Sequence, residues 1–185
     1  MHRTPHRAAF ALGATLAMLA AVPIAAAEDP AEPSPSPAAR LPNGAQPLPN
    51  VITGGQPTAE QLAALGEAGY TTVISLRAEG EKGDLAAATY ESLGLDFVRV
   101  PIAGADDLDE AHVRDFAAAL ADAEGPVVVH CGSGNRVGAL FALQAHWLEG
   151  MRADDALDFG LAAGLTGLEP TVRERLGLPE AADQP

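Results

Sequence analysis

The stretch VVVHCGSGNRVGAL, residues 127–140, sets one cysteine and one arginine on either side of four small or polar residues. Gly132, Ser133, Gly134 and Asn135 form a Gly-x-Gly arc whose successive backbone N–H groups are free to point inward as an anion nest. The helix expected to follow adds the positive end of its dipole. Arg136 supplies a planar fork of donors at the far end of the arc. All three would stabilise a thiolate at Cys131, and the thiolate is the nucleophilic form of cysteine. The alternative is a buried structural cysteine ahead of a glycine turn, but such cysteines sit in apolar settings. The chemistry to expect is attack by sulfur on a bound anion, or carriage of a sulfur atom.

Cys131 is the single cysteine of the chain. With no second thiol there is no internal disulfide and no resolving partner for dithiol redox chemistry. His112 and His146 fall on separate predicted helices without a partner at ligand spacing, so neither a metal nor a cofactor is expected. Arg77 ends a predicted strand, where it would meet an anionic substrate or pair with Glu79. Gly160-x-x-x-Gly164 reads as close helix packing, and Trp147 as a core residue.

These residues are positioned by strand and helix signals that alternate from Asn50 onward. Val51–Thr53 and Thr71–Leu76 are β-branched strands. Between them, Thr58 and Gln61 have the spacing of a capping box, which opens a helix to about Ala68 that Gly69 closes. Asp84 is the expected start of a second helix with Leu85, Ala88 and Leu93 on its apolar face. Leu95–Ile102 is a third strand. Asp107 and Glu110 again have capping-box spacing, ahead of a helix carrying Val113, Phe116, Ala117 and Leu120. Gly125-Pro126 ends it, and Val127–His130 is the fourth strand. Helices follow over Val137–Glu149 and near 154–163 and 170–176. The alternation predicts an α/β fold with a mainly parallel four-stranded sheet flanked by helices. Ligands bind such sheets beyond the carboxyl ends of the strands. That rule gathers Arg77, the loop 103–109 and the Cys131 loop at one rim.

The first 27 residues read as a secretory signal, with Arg3 and Arg7 ahead of an apolar run from Ala8 to Ala21 and a small-residue cleavage site at Ala25-Ala26-Ala27. The run is too short to span a membrane, so an exported chain, periplasmic or extracellular, with no integral span in its mature form is expected. Residues 28–49 hold seven prolines and read as an extended disordered spacer, leaving 50–178 as the domain and 179–185 as a tail. Net charge is −14, and loss of the leader with Arg3 and Arg7 makes it more negative still. Such a chain repels nucleic acid. A small anionic or phosphorylated substrate must be held by local geometry.

His130-Cys131, Gly134 and Arg136 at a strand–loop–helix junction resemble the protein tyrosine phosphatase signature. NVITGGQPTAEQLAALGEAGYTTVISLR, FVRVPIAGADDLDEAHV and AAGLTGLEP are similar to the bacterial phosphatase-like domain called beta-lactamase hydrolase-like, or DUF442, over about residues 50–172. The resemblance implies a protein tyrosine phosphatase-like fold of the dual-specificity type. It implies that Cys131 is a nucleophile forming a phosphocysteine, with Arg136 and the loop amides holding the phosphate oxygens. It further implies that His130 orients the loop and that Asp106 or Asp107, on the loop after the third strand, is the general acid. Two features depart from that pattern. The phosphatase loop has seven members from Cys to Arg, whereas this one has six, the size of a rhodanese-type sulfurtransferase loop that cradles a sulfane sulfur. Val137 also stands where the phosphatases place a hydroxyl. A Cys131 persulfide carrier and a non-catalytic anion-binding domain are the alternatives.

Overall fold

The computed structural model describes residues 36–180. The predicted leader, the first part of the predicted spacer and the end of the tail lie outside them. The chain is an α/β protein, built on a five-stranded sheet in the order β1-β2-β5-β3-β4. The strands are β1 (Ala45–Leu48), β2 (Val51–Gly54), β3 (Thr72–Ser75), β4 (Asp96–Arg99) and β5 (Val127–His130). The helices are α1 (Ala59–Glu67), α2 (Ala87–Ser92), α3 (Glu110–Asp122), α4 (Asn135–Trp147), α5 (Ala153–Ala162) and α6 (Glu169–Arg175). β2, β5, β3 and β4 run parallel, and β1 pairs antiparallel with β2.

The fifth strand corrects the expected count of four, and it comes from the stretch read as a disordered spacer. Pro37–Arg40 form a 3-10 turn, Ala38 and Leu41 are buried, and β1 follows. Prolines suggested an extended tether, but an edge strand tolerates a residue that cannot donate to the ladder, and Pro47 lies on that edge. The ordered fold therefore begins well before Asn50.

β5 occupies the middle of the sheet, and all four of its residues are buried. Alternation along the strand sends Val127 and Val129 into a core with Phe116 of α3 and Leu140 and Phe141 of α4. Val128 faces the opposite core with Ile52, Val73, Leu62, Leu65 and Tyr90. Each such fully buried side chain contributes roughly 1.5–3 kcal/mol relative to exposure. The same alternation turns His130 toward Tyr90, while Cys131 joins the Val129 side.

Three local expectations meet different structures. The capping box at Thr58 and Gln61 forms in full and opens α1. Asp84, however, does not start α2, which begins at Ala87. The Asp84 carboxylate instead pairs with Arg99 at 2.9 Å. Asp107 does not cap α3 either: the cap is Asp109, whose side chain accepts from His112 N at 3.0 Å. α4 starts at Asn135, two residues ahead of expectation, because Gly134 takes a left-handed φ of 94° as its N-cap.

α4 is buried along most of its length and meets α5 backbone to backbone. A Cβ added at Gly138 would stand 2.0 Å from Leu165 N and 2.5 Å from Gly160 O. Among the described residues no helix is long and apolar enough to cross a membrane.

Candidate active site

β5 ends at His130 and delivers Cys131 to the rim of the sheet, where α4 begins. The intervening loop is held from outside by its carbonyls. Gly132 O accepts from Gln56 N at 3.4 Å, and Ser133 O accepts from Asn43 Nδ2 at 3.1 Å. In a trans peptide the C=O and the following N–H point in opposite directions. Anchoring these two carbonyls outward therefore turns the N–H groups of Ser133 and Gly134 inward. Gly134 N donates to Cys131 Sγ at 3.1 Å. Two successive amides turned toward the sulfur side are the arrangement an anion nest uses.

Asn135, read from sequence as part of the anion-binding arc, has its side chain turned elsewhere. Its Oδ1 accepts from Thr166 N at 2.9 Å and Leu168 N at 3.1 Å, tying the start of α4 to the α5–α6 connection. Its backbone alone belongs to the loop. Val137 is buried and presents no hydroxyl.

Arg136 is oriented by its neighbours Ile102 and Glu81. Nη1 donates to Ile102 O at 2.7 Å and to Glu81 Oε2 at 3.0 Å. Nη2 donates to Glu81 Oε1 at 2.7 Å. A guanidinium carries five N–H bonds in a fixed plane. Glu81 takes the end-on pair, so Nε–H and the remaining Nη2–H, which share one edge, have no oxygen acceptor among the described residues. That edge is the one a tetrahedral anion takes bidentately. The Arg136 hydrogen bond holds the Glu81 carboxyl below the usual carboxylate range against the opposing effect of burial. Arg136 is in turn raised, first by Glu81 and further by Cys131.

Arg77 is 4% exposed and does not bond Glu79. Its guanidinium lies 3.4 Å from Glu81 and 4.0 Å from Asp84. Nη2 donates to Lys82 O, and Arg99 Nη1 holds the main-chain oxygen of Arg77 at 2.8 Å.

His130 is fully buried and 3.2 Å from the Tyr90 hydroxyl through Nε2, with Nδ1 3.4 Å from Cys131 O. Burial lowers its pKa to about 4, so the ring is neutral at physiological pH. Nδ1 faces a carbonyl and takes the proton, and Nε2 then accepts from Tyr90 O–H. The Tyr90 oxygen in turn accepts from Gln56 Nε2 at 3.3 Å. A directional chain from Gln56 through Tyr90 and His130 thus ends on the cysteine's own carbonyl.

Asp106 and Asp107 lie in a 3-10 turn after β4. Asp107 Oδ2 accepts from Ala103 N at 2.6 Å, and Asp106 is exposed. Their loop forms one wall of a cleft of about 470 Å³ through Ala103 and Gly104, facing Glu81, Asn135 and Arg136. Neither aspartate lines the cleft, and Cys131, 1% exposed, does not reach its surface. A second cavity of about 490 Å³, bounded by Leu48, Phe141 and Phe159, opens beside the first residues of β2 and β5, at the strand ends opposite the cysteine loop.

Asn43, Gln56, Glu81 and Tyr90 were not singled out by sequence. Gln56 follows Gly54-Gly55 and Tyr90 sits in a helical pattern, but nothing local marks Asn43 or Glu81.

A parallel sheet whose central strand hands a cysteine loop to the N-terminus of a buried helix defines the class: this is a protein tyrosine phosphatase fold. Within it, residues 43–166 match the family described as DSP-PTPase phosphatase fused to NAD+ kinase, and the chain belongs to that family. The match starts in the segment that precedes β1. The beta-lactamase hydrolase-like protein of Xylella fastidiosa (strain Temecula1) is 34% identical over 115 residues, 60% of this chain. The chain spans only 26% of that relative's length. The DUF442 protein of Shewanella putrefaciens CN-32 superposes with a TM-score of 0.60 at 19% identity, covering 78% of this chain and 97% of that one. A candidate phosphatase of Neisseria meningitidis z2491 superposes with a TM-score of 0.58 at 29% identity, covering 71% and 94%.

Proposed function

We propose that the chain is an exported cysteine-dependent phosphatase acting on a small phosphomonoester. The observation that carries this reading is the Gly134 amide aimed at Cys131 Sγ at 3.1 Å, next to a Ser133 amide that the anchored Gly132 carbonyl turns the same way. The Cys131 thiolate attacks phosphorus, a sulfur–phosphorus bond forms, and the bond to the leaving oxygen breaks. The loop amides and the free Nε/Nη2 edge of Arg136 take the charge on the phosphoryl oxygens as it redistributes. Asp106 protonates the leaving oxygen, since Asp107 is committed to Ala103 N; water then releases phosphate from the phosphocysteine. His130, kept neutral, fixes the cysteine carbonyl, and Arg77 stands beside the loop. Export rests on the leader read over residues 1–27, and the strongly negative net charge fits a partner other than nucleic acid.

The six-membered loop favours a second reading, in which Cys131 carries a persulfide from a sulfur donor to an acceptor and no aspartate takes part. Purified wild type and Cys131→Ser, each assayed with an aryl phosphate and with thiosulfate plus cyanide, separate the two. Cys131-dependent phosphate release supports the phosphatase. Thiocyanate formation supports sulfur transfer, and equal behaviour of both proteins in both assays removes enzyme readings altogether.

A further inference from the structure

Two guanidinium groups converge on the outer face of Gly132. A Cβ built on Gly132 would lie 3.5 Å from Arg136 Nη2 and 3.6 Å from Arg77 Nη1, with Glu81 Oε1 farther off at 4.0 Å, while Gly132 itself is exposed. Arg77 is 96% inaccessible by residue area, the complement of its 4% exposure, and its aim is fixed by its neighbours. Arg99 grips its main-chain oxygen, and Lys82 O takes Nη2. Its Nε has no hydrogen-bond partner, and Nη1, pointing at the Gly132 face, bonds no acceptor among the described residues.

Around it three guanidinium groups share two carboxylates, with Cys131 beside Arg136. Arg77, Arg99 and Arg136 face only Asp84 and Glu81 in the ion-pair network. Arg99 is spent on Asp84 and on the Arg77 carbonyl. Glu81 gives both oxygens to Arg136, and the same Oε1 lies a longer 3.4 Å from Arg77 Nη2. A buried arginine left with free donors is costly unless an anion completes it.

We propose that the outer face of Gly132 is a second anion subsite, with Arg77 Nη1 as its donor and the positive charge of Arg136 beside it, and that it selects a phosphomonoester carrying a second anionic group close to the scissile phosphoryl. This rests on the phosphatase reading for the loop itself. The Nε/Nη2 edge of Arg136 stays with the anion over Cys131, and Arg77 Nη1 supplies the free donor for the neighbouring charge. Arg77 is the specificity-determining residue. Bare monophosphate fills one subsite, and a diphosphate reaches both.

The test is calorimetric binding of inorganic phosphate and inorganic pyrophosphate, without divalent cations and at fixed ionic strength, to the full chain carrying Cys131→Ser. Pyrophosphate is expected to bind about tenfold tighter or better, the effect of one added charge-assisted hydrogen bond. Two further substitutions in that background probe the subsite by different routes. Arg77→Lys removes the aimed fork while keeping the charge. Gly132→Ala places a methyl group at ordinary contact distance in the space between the guanidiniums. Gly132 has no left-handed φ, so its melting temperature should stay close to that of the parent even if Arg77→Lys folds poorly. Each should bring the two affinities to within about twofold. Equal affinities in the parent, or a preference that survives Gly132→Ala, overturn the subsite. If the preference holds while wild type releases no phosphate from aryl phosphate, the subsite stands and the phosphatase reading falls. If aryl phosphate is hydrolysed and the affinities are equal, the reverse is true.

Discussion

Asn43 donates its side-chain amide to the main-chain oxygen of Ser133 at 3.1 Å, across 90 positions of sequence. The bond fixes the carbonyl whose reverse side is the Gly134 amide that meets the sulfur. Asn43 also holds a left-handed φ of 50°, the only such non-glycine residue described, a conformation asparagine tolerates better than most. Asn43→Gly removes the bond and keeps the backbone at ease. It should lower Cys131-dependent turnover by about tenfold, the effect of one hydrogen bond, with little change in melting temperature. Asn43→Ala should lose the same activity and a further ~1 kcal/mol of stability from the backbone strain. Steady-state kinetics and denaturant titration of the pair separate the two effects.

Glu81 orients the anion-binding edge of Arg136. Glu81→Gln turns an amide N–H toward a donor and lets the guanidinium swing. Turnover should fall by about ten- to a hundredfold, in line with loss of a positioned charge. Stability should change by less than about 1 kcal/mol, because the carboxylate is partly exposed. A thermal melt recorded beside the kinetics decides whether Glu81 acts on the site or merely on the fold.

The pH dependence of stability should carry the signature of His130. Its folded pKa is lowered to about 4 by burial, against an ordinary value near 6.5. Between those two values the unfolded chain binds a proton that the folded chain refuses. Stability is therefore complete above about pH 6.5 and declines as pH falls toward about 4. Urea unfolding from pH 7 to 4 measures the slope, and His130→Asn should flatten part of it. A wild-type slope unaffected by that substitution would show that other groups set it.

Gly138→Ala places a methyl group onto Leu165 N and Gly160 O, both backbone atoms. α4 and α5 must separate, at a cost of roughly 3 kcal/mol. The same movement pulls the α5–α6 connection from Asn135 and so disturbs the start of the loop. Chemical denaturation should show the loss, and Cys131-dependent turnover should fall with it.

What sequence revealed and what it hid divide along the range of the interactions. β2, β3, β4, β5 and α1 were legible because their signals are local: β-branched runs, a capping box, glycine stops. The rim was legible too, since a parallel sheet dictates where its loops emerge: Arg77, the 103–109 loop and the Cys131 loop all follow the carboxyl ends of β3, β4 and β5. β1 was hidden by prolines that an edge strand accommodates. Asp84 and Asp107 carried the marks of helix caps, but an ion pair with Arg99 and a bond to Ala103 N claimed their side chains first. Glu81 and Tyr90 reach partners 55 and 40 positions away, and no spacing rule anticipates such contacts.

The position of β5 has a consequence for how the molecule comes into being. β2 and β3 are made early, yet they do not pair with each other; the gap between them waits for Val127–His130. A chain emerging from the ribosome or a translocon therefore carries two open strand edges until more than two-thirds of its length has appeared. The segment that fills the gap ends in Cys131. The cysteine loop and the closing of the sheet are one event, so a chain made only as far as α3 has neither the thiol nor its cradle.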